Sequence, residues 1–400
     1  MEKLKLSDLS LQNKKVLMRV DFNVPLNPDH TIADTTRIMA SMTSIQYILK
    51  HGGSVILMSH LGRPDGKVSS ALSLQPCVEV LQKTLKVPVA FAPDCVGDIA
   101  KQLAKNLHPG ELLLLENLRF HEAEEKPTKD PSFAKQLASL GDVYVNDAFG
   151  AAHRAHSSTA TIAKYFPHQA AMGFLMEREV NFLEKVIKNP KRPFYAVLGG
   201  AKISSKIGVF SSLLAKVDAL FIGGGMAYTF LKILGHKIGK SICDDALLDT
   251  AKQFLDNAKK KNIPVFLPTD IVIAHTFANS APSKTVLTTQ GVPEGWIGMD
   301  IGPNTMSAWS KKLQEAATIF WNGPMGVFEF SHFSQGTFSM AKLLASLQAV
   351  TIVGGGDSVS AINTLGVKDS FTHVSTGGGA SLEFIEHGHL PGIDTLSDKT

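Results

Sequence analysis

Short, mostly apolar runs recur along the chain: "VLMRV" (16–20), "VILM" (55–58), "ELLLL" (111–115) and "VYV" (143–145). A second series follows: "FYAVL" (194–198), "ALFI" (219–222), "PVFL" (264–267), "TIFW" (318–321) and "VTIV" (350–353). Continuous apolar runs, rather than alternation, predict strands buried on both faces, as in parallel sheets covered by helices. The stretches between them carry helical period. "TTRIMASMTSIQYILKHGG" puts Ile38, Met42, Ile45 and Leu49 on one stripe and stops at a glycine pair, a C-terminal signal. "SKIGVFSSLLAK" does the same with Ile207, Phe210 and Leu214. The alternation reads as α/β, with two doubly wound, Rossmann-like parallel-sheet domains.

A chain of 400 residues exceeds one ordinary hydrophobic core, which also argues for two domains. The charged, Pro-ended stretch "MEREVNFLEKVIKNPKRP" predicts a helical hinge. The expected division is therefore 1–175, a connector at 176–193, 194–388, and a short polar tail at 389–400. Apolar residues at 44% and charged residues at 19% place the chain among globular proteins. A formal charge of +4 is too small for a general nucleic-acid binder but leaves room for a local basic pocket. "MEKLKLSDLS" has no apolar signal core and no run approaches a membrane span, so a cytoplasmic protein is expected. Cys77, Cys95 and Cys243 form no CxxC pair, which counts against both a disulfide framework and a zinc site.

Almost every run ends in a polar or glycine-rich cluster, and open α/β sheets bind ligands beyond the carboxyl ends of their strands. In the first half these clusters are "DFN" (21–23), "SHLGRP" (59–64), "ENLRFH" (116–121) and "DAFGAAHRAHSS" (147–158). With Arg37, they bring Arg63, Arg119 and Arg154 together with His60, His153 and His156. One arginine alone is ordinarily a solvated surface residue. Several converging ones imply a small polyanion, because the guanidinium fork matches carboxylate and phosphate oxygens. Asp21 and Asn23 would bind a hydroxyl or orient the arginines. The "HRAH" spacing could place two histidines on a helix for a metal, but no carboxylate partner motif accompanies it. Arg19, inside a strand run, reads as structural.

In the second half "VLGGAKISSK" (197–206) runs strand, glycine pair, helix, with Lys202 and Lys206 near the first turn. Cations there oppose the helix dipole unless a phosphate docks against them. "FIGGGMA" (221–227), "WNGPMGVFEF" (321–330), "VGGGDSVSA" (353–361) and "STGGGASLEF" (375–384) follow later runs in the same way. Asp357 beside three glycines can hold Mg²⁺ or cap a helix. Glu329 is a candidate acceptor for a ribose hydroxyl. "GHKIGKS" (235–241) resembles a phosphate loop but has one residue too few between its glycines and follows a helical stretch. Gly235 is better read as closing that helix, with Lys240 and Ser241 in a connection.

These motifs, in this order and spacing, resemble phosphoglycerate kinase over essentially the whole chain. The resemblance implies reversible, Mg²⁺-dependent transfer of a phosphoryl group from 1,3-bisphosphoglycerate to ADP, giving 3-phosphoglycerate and ATP in glycolysis, by a monomer. It assigns Asp21, Asn23, Arg37, His60, Arg63, Arg119 and Arg154 to phosphoglycerate. Lys202, Lys206, Gly298, Asn322, Glu329, Gly355, Gly356, Asp357 and Ser358 fall to the nucleotide, with Asp357 on the metal. Arg37 and Lys202 are given to the transferring group, and the N–H groups around Gly378 and Gly379 are expected to stabilise its charge. Ser358, Ala151 and Ser205 depart from the family's usual Thr, Thr and Asp. None of the three removes a charge assigned to the reaction.

Direct in-line transfer fits both the residues and the resemblance, and two ligands on two domains require a closure. Two rivals remain. A two-domain dehydrogenase is weakened by the absence of a GxGxxG fingerprint after any strand. A non-catalytic two-lobed anion-binding protein would not need Lys202, Asp357 and a separate glycine-rich site.

Overall fold

A computed structural model of the chain describes residues 2–399, apart from the side chain of Ser205, so that departure lies outside the described residues. Contacts divide the chain into two units: residues 1–181 with 389–400, and residues 182–388. The boundary falls inside the helix Phe174–Lys188, within the stretch expected to connect the halves. The polar tail belongs to the first unit, where the Leu4 N–H donates to the Ser397 carbonyl at 2.8 Å.

In the first unit, among the described residues, six strands form one sheet. They are β1 (Lys15–Arg19), β2 (Ser54–Met58), β3 (Val89–Ala92), β4 (Leu112–Leu115), β5 (Val143–Asn146) and β6 (Ala170–Met172). The spatial order is β3-β4-β2-β1-β5-β6, and every pairing is parallel. β2, β4 and β5 are buried at every position, as their unbroken apolar runs predict. Val16, Met18, Val55, Leu57, Leu114 and Val145 share one core with Ile38 and Ile45 from the covering helices. Each such fully buried aliphatic side chain contributes about 1.5–3 kcal/mol.

The helical stripe of "TTRIMASMTSIQYILKHGG" is present but broken. Thr36–Ala40 and Met42–Lys50 are separate helices meeting at Ser41. The break advances the phase, so Ile48 rather than Leu49 completes the buried face after Ile38, Met42 and Ile45.

The second unit carries another parallel sheet of six strands among its described residues. They are β7 (Phe194–Leu198), β8 (Ala219–Ile222), β9 (Val265–Phe266), β13 (Thr318–Asn322), β14 (Val350–Gly354) and β15 (His373–Val374), in the order β15-β14-β13-β7-β8-β9. Between β9 and β13 the chain forms a small antiparallel sheet of β10 (Asp270–Ala274), β11 (Ser283–Leu287) and β12 (Ile297–Ile301), with β10 in the centre. The apolar runs did not announce this sheet. β11 is mostly exposed and β12 half-buried at its start, so neither is a continuous apolar segment. Both large sheets are parallel α/β, and the antiparallel sheet is an addition to the expected architecture.

Candidate functional site

In the first unit β4, β2, β1 and β5 are consecutive neighbours, and their carboxyl ends lead directly to Arg119, His60, Asp21 and Arg154. The strand order switches sides between β1 and β5, the point at which an open parallel α/β sheet makes a crevice. Arg37 donates from Nη1 to Asp21 Oδ2 at 2.5 Å. Asn23 does not reach into open space: its Oδ1 accepts the Gly62 N–H at 2.9 Å. Arg119 Nη1 donates to the Gly62 carbonyl at 2.9 Å, so the "SHLGRP" loop is pinned from both sides. Arg119 also reaches Glu125 at 3.3 Å, while its buried Nε has no partner. Arg63 and Arg154 are exposed.

Electrostatics show how closely these cations gather. Burial drives His60 well below its ordinary pKa, and Arg19, Arg119 and Arg37 push it further down. His153 is lowered to about 4 by burial and then by Arg154. His156 falls to about 3 by burial, then by Arg19, Arg119 and Arg154. Neutral histidines among arginines are the arrangement expected where an anion is to arrive. His153 and His156 lie in the turn after Phe149–Ala151, not on a helix, so the metal-binding reading of "HRAH" loses its geometry. Both have a buried Nδ1 without a hydrogen-bond partner.

Arg19 is fully buried, as a structural residue would be. Its Nε donates to Ser158 Oγ at 2.8 Å, and that hydroxyl donates onward to Glu124 Oε1 at 2.6 Å. Its Nη2 lies 3.0 Å from His60 Nδ1. Arginine has no acceptor, so His60 Nδ1 must accept and the ring proton sits on Nε2. A residue read as mere support thus sets the tautomer of a predicted substrate ligand.

In the second unit, glycines let loops from neighbouring strands touch. A Cβ on Gly378 would lie 2.8 Å from Gly355 Cα, and Gly355 itself holds φ at +94°. Gly378 opens the helix Gly378–His387, and Gly356 opens the helix Gly356–Thr364 with Asp357 in its first turn. Lys206 is sunk among oxygens: its Nζ donates to the Gly199 carbonyl at 2.6 Å, the Asn322 carbonyl at 3.0 Å and Asn322 Oδ1 at 2.8 Å. Burial lowers its pKa to about 8, against the pull of Asp357. Asn322 is buried, and its Nδ2 has no partner. Ser358 is fully buried, its hydroxyl accepting the Gly323 N–H at 2.7 Å. Lys202 precedes the short 3₁₀ turn Ile203–Ser205, and the α-helix starts only at Ile207. The lysines therefore stand before that helix rather than in its first turn.

A pocket of about 440 Å³ opens in this unit, lined by Gly200, Ala201, Gly224, Gly225, Gly298, Glu329 and Asp357 among others. It gathers three of the sequence-predicted nucleotide residues. Lys206 and Gly379 line a separate hollow of about 340 Å³. Sequence reasoning missed Tyr228, Ile242 and Phe277 on the pocket wall. It also passed over Lys240, which the near-miss loop delivers to the same wall. Gly235 has φ +86° just after the helix Ala227–Ile233, as a closing glycine should. The next turn is no inert connection: Ser241 Oγ accepts the Gly298 N–H at 2.8 Å.

Asp357 offers one exposed carboxylate on the pocket wall, and Mg²⁺ commonly takes one or two carboxylates together with substrate phosphates. The unpartnered Asn322 amide nearby is a donor for an anion rather than a cation. The donor set therefore fits a magnesium–nucleotide complex.

Residues 6–388 match the family model for phosphoglycerate kinase. A phosphoglycerate kinase from Moorella thermoacetica is 52% identical over 399 residues, and one from Acidobacterium capsulatum is 51% identical over 407, each covering the full length of both chains. The solved phosphoglycerate kinase of Coxiella burnetii superposes with a TM-score of 0.84 at 40% identity, covering 98% of either chain. That of Pyrococcus horikoshii reaches the same TM-score at 30% identity. The chain belongs to the phosphoglycerate kinase family, whose members are glycolytic kinases that use ATP and Mg²⁺ and phosphorylate a carboxyl group.

Proposed function

We propose that the first unit binds 3-phosphoglycerate or 1,3-bisphosphoglycerate through Arg37, Arg63, Arg119, Arg154, His60, Asp21 and Asn23. The second unit binds ATP or ADP through its glycine-walled pocket, with Lys202, Lys206, Asn322, Gly355, Gly356 and Ser358 near the phosphates. The observation that carries this reading is the pairing of a crevice where arginines outweigh the nearby Asp21 and hold His60, His153 and His156 neutral with a separate pocket lined by Asp357 and Glu329.

The acceptor is a nucleotide phosphate oxygen in one direction and a carboxylate in the other, so neither direction needs a strong general base. The protein's work is alignment and charge neutralisation. His60 presents Nε2–H, fixed by Arg19, as a donor. Arg37, held by Asp21, is positioned to meet the transferring group, as is Lys202. The N–H groups at Gly378 and Gly379 face growing negative charge with no side chain in the way. Asp357 would hold Mg²⁺, which when bound would supply charge neutralisation on the nucleotide phosphates. Closure of one unit on the other brings the two ligands into line and excludes water from the acyl phosphate. The enzyme works in the cytoplasm, as a monomer.

A coupled assay of Mg²⁺-dependent ATP consumption with 3-phosphoglycerate tests the reading. Turnover that requires both substrates is expected. ATP consumption independent of 3-phosphoglycerate would overturn it.

A further inference from the structure

Three residues that the phosphoryl-transfer site does not use converge in the first unit. Asp94 and Cys95 follow β3 and precede the helix Gly97–Lys105, and His121 follows the turn Leu118–Phe120 after β4. β3 and β4 are paired neighbours, which brings their carboxyl-end loops together. His121 Nε2 lies 2.7 Å from Asp94 Oδ1, and one ligand atom from each of the three residues lies within 4.8 Å of the others. Cys95 is fully buried and is not part of a disulfide. The His121 ring stacks on Phe133 at 5.1 Å between centroids, which fixes its plane.

The geometry points to a site for one thiophilic divalent cation of the zinc class, held by Cys95 Sγ, His121 Nε2 and an Asp94 carboxylate oxygen. The donor types decide the metal class. A thiolate and an imidazole select zinc or its cobalt analogue, whereas Mg²⁺ demands an all-oxygen shell. In a tetrahedral site Zn–S of about 2.3 Å and Zn–N of about 2.0 Å set neighbouring ligand atoms about 3.5 Å apart. Small rotations of the half-exposed His121 and the exposed Asp94 therefore suffice, with Cys95 as the fixed point. Binding breaks the S–H bond and forms S–metal, and the displaced proton leaves to solvent. Water fills the fourth position, as in an open three-ligand site. The cysteine spacing had counted against zinc because that argument searched only for cysteine pairs. This set is one cysteine with a histidine and a carboxylate from two loops.

Titration of the whole protein with Co²⁺ alone, in the presence of excess Mg²⁺, tests the inference. One equivalent should bind and give a thiolate-to-cobalt charge-transfer band in the near ultraviolet. Cys95→Ser should abolish the band, and His121→Gln, at a half-exposed position, should weaken binding by about 10-fold or more. Cys243→Ser should leave both unchanged. No band in the wild type, a band insensitive to both Cys95→Ser and His121→Gln, or a band lost in Cys243→Ser would each overturn the site. If Cys95→Ser fails to fold, His121→Gln decides alone: unchanged affinity overturns the site and weakened affinity supports it.

Discussion

Arg37 is bound to Asp21 yet more than a third exposed, so its side chain is aimed rather than buried. The pair is half-exposed, since Asp21 is buried, and Asp21 keeps the Asn23 N–H as a donor when the arginine is lost, so the pair adds only modestly to stability. Removing the side chain should therefore cost function, not folding. Arg37→Ala is expected to lower kcat by about 100-fold or more with little change in melting temperature. A raised KM at unchanged kcat, measured with 3-phosphoglycerate, would leave Arg37 a binding role only. Asp300 gives a second prediction at this scale. Burial raises its pKa to about 7, although the Gly336 and Ile301 N–H groups hold it down. Its folded pKa lies above the ordinary 3.8, so its contribution is fully present below pH 3.8 and is lost as pH rises through about 7. Asp147, raised to about 6 by burial, adds to the same slope. Urea unfolding of Asp300→Asn should show this loss reduced, with the variant gaining on the order of 2 kcal/mol relative to the wild type between pH 5 and pH 8. Equal pH slopes for the two proteins would show that Asp300 does not titrate in that window.

At the scale of elements, the antiparallel sheet is what the sequence hid and what the pocket needs. Strands such as β2 and β4 were legible because burial on both faces leaves an unbroken apolar run. β3, β6 and β15 are short edge strands: β3 and β6 are apolar but rich in alanine, which has little strand preference, and β15 is only His373–Val374. The arginine cluster was equally legible, since the strand-end rule needs only element order. Tyr228, Ile242 and Phe277 were not, because they come from a helix, a connection and a loop with no shared local pattern. Lys240 was set aside for a sound reason, the wrong loop length, yet the same segment carries Ser241 to β12. Gly298 on that strand shows why glycine is required: a Cβ there would lie 2.1 Å from the Tyr228 hydroxyl. Gly298→Ala must displace the buried Tyr228 ring into the pocket wall, an overpacking of about 1–3 kcal/mol. The KM for ATP should rise several-fold while that for 3-phosphoglycerate stays put, in steady-state kinetics. An equal rise in both would place the damage outside the nucleotide pocket.

For the whole molecule, the proposal that each unit binds its own ligand implies that neither ligand alone completes the reaction centre. Small-angle scattering should show the radius of gyration contracting when 3-phosphoglycerate and a non-hydrolysable ATP analogue are present together, and less with either alone. An unchanged radius with both would remove closure from the mechanism.

Residues 397 and 398 lie beside residues 3 and 4, through the Lys3–Asp398 ion pair at 2.9 Å and the Leu4–Ser397 hydrogen bond. The second unit is a continuous stretch, 182–388, spliced into the first. During synthesis residues 182–388 are therefore all made before the first unit, which must wait for residues 389–400. Translation order and completion order run in opposite directions. A chain stalled at residue 388 would hold a finished second unit and an unsealed first one.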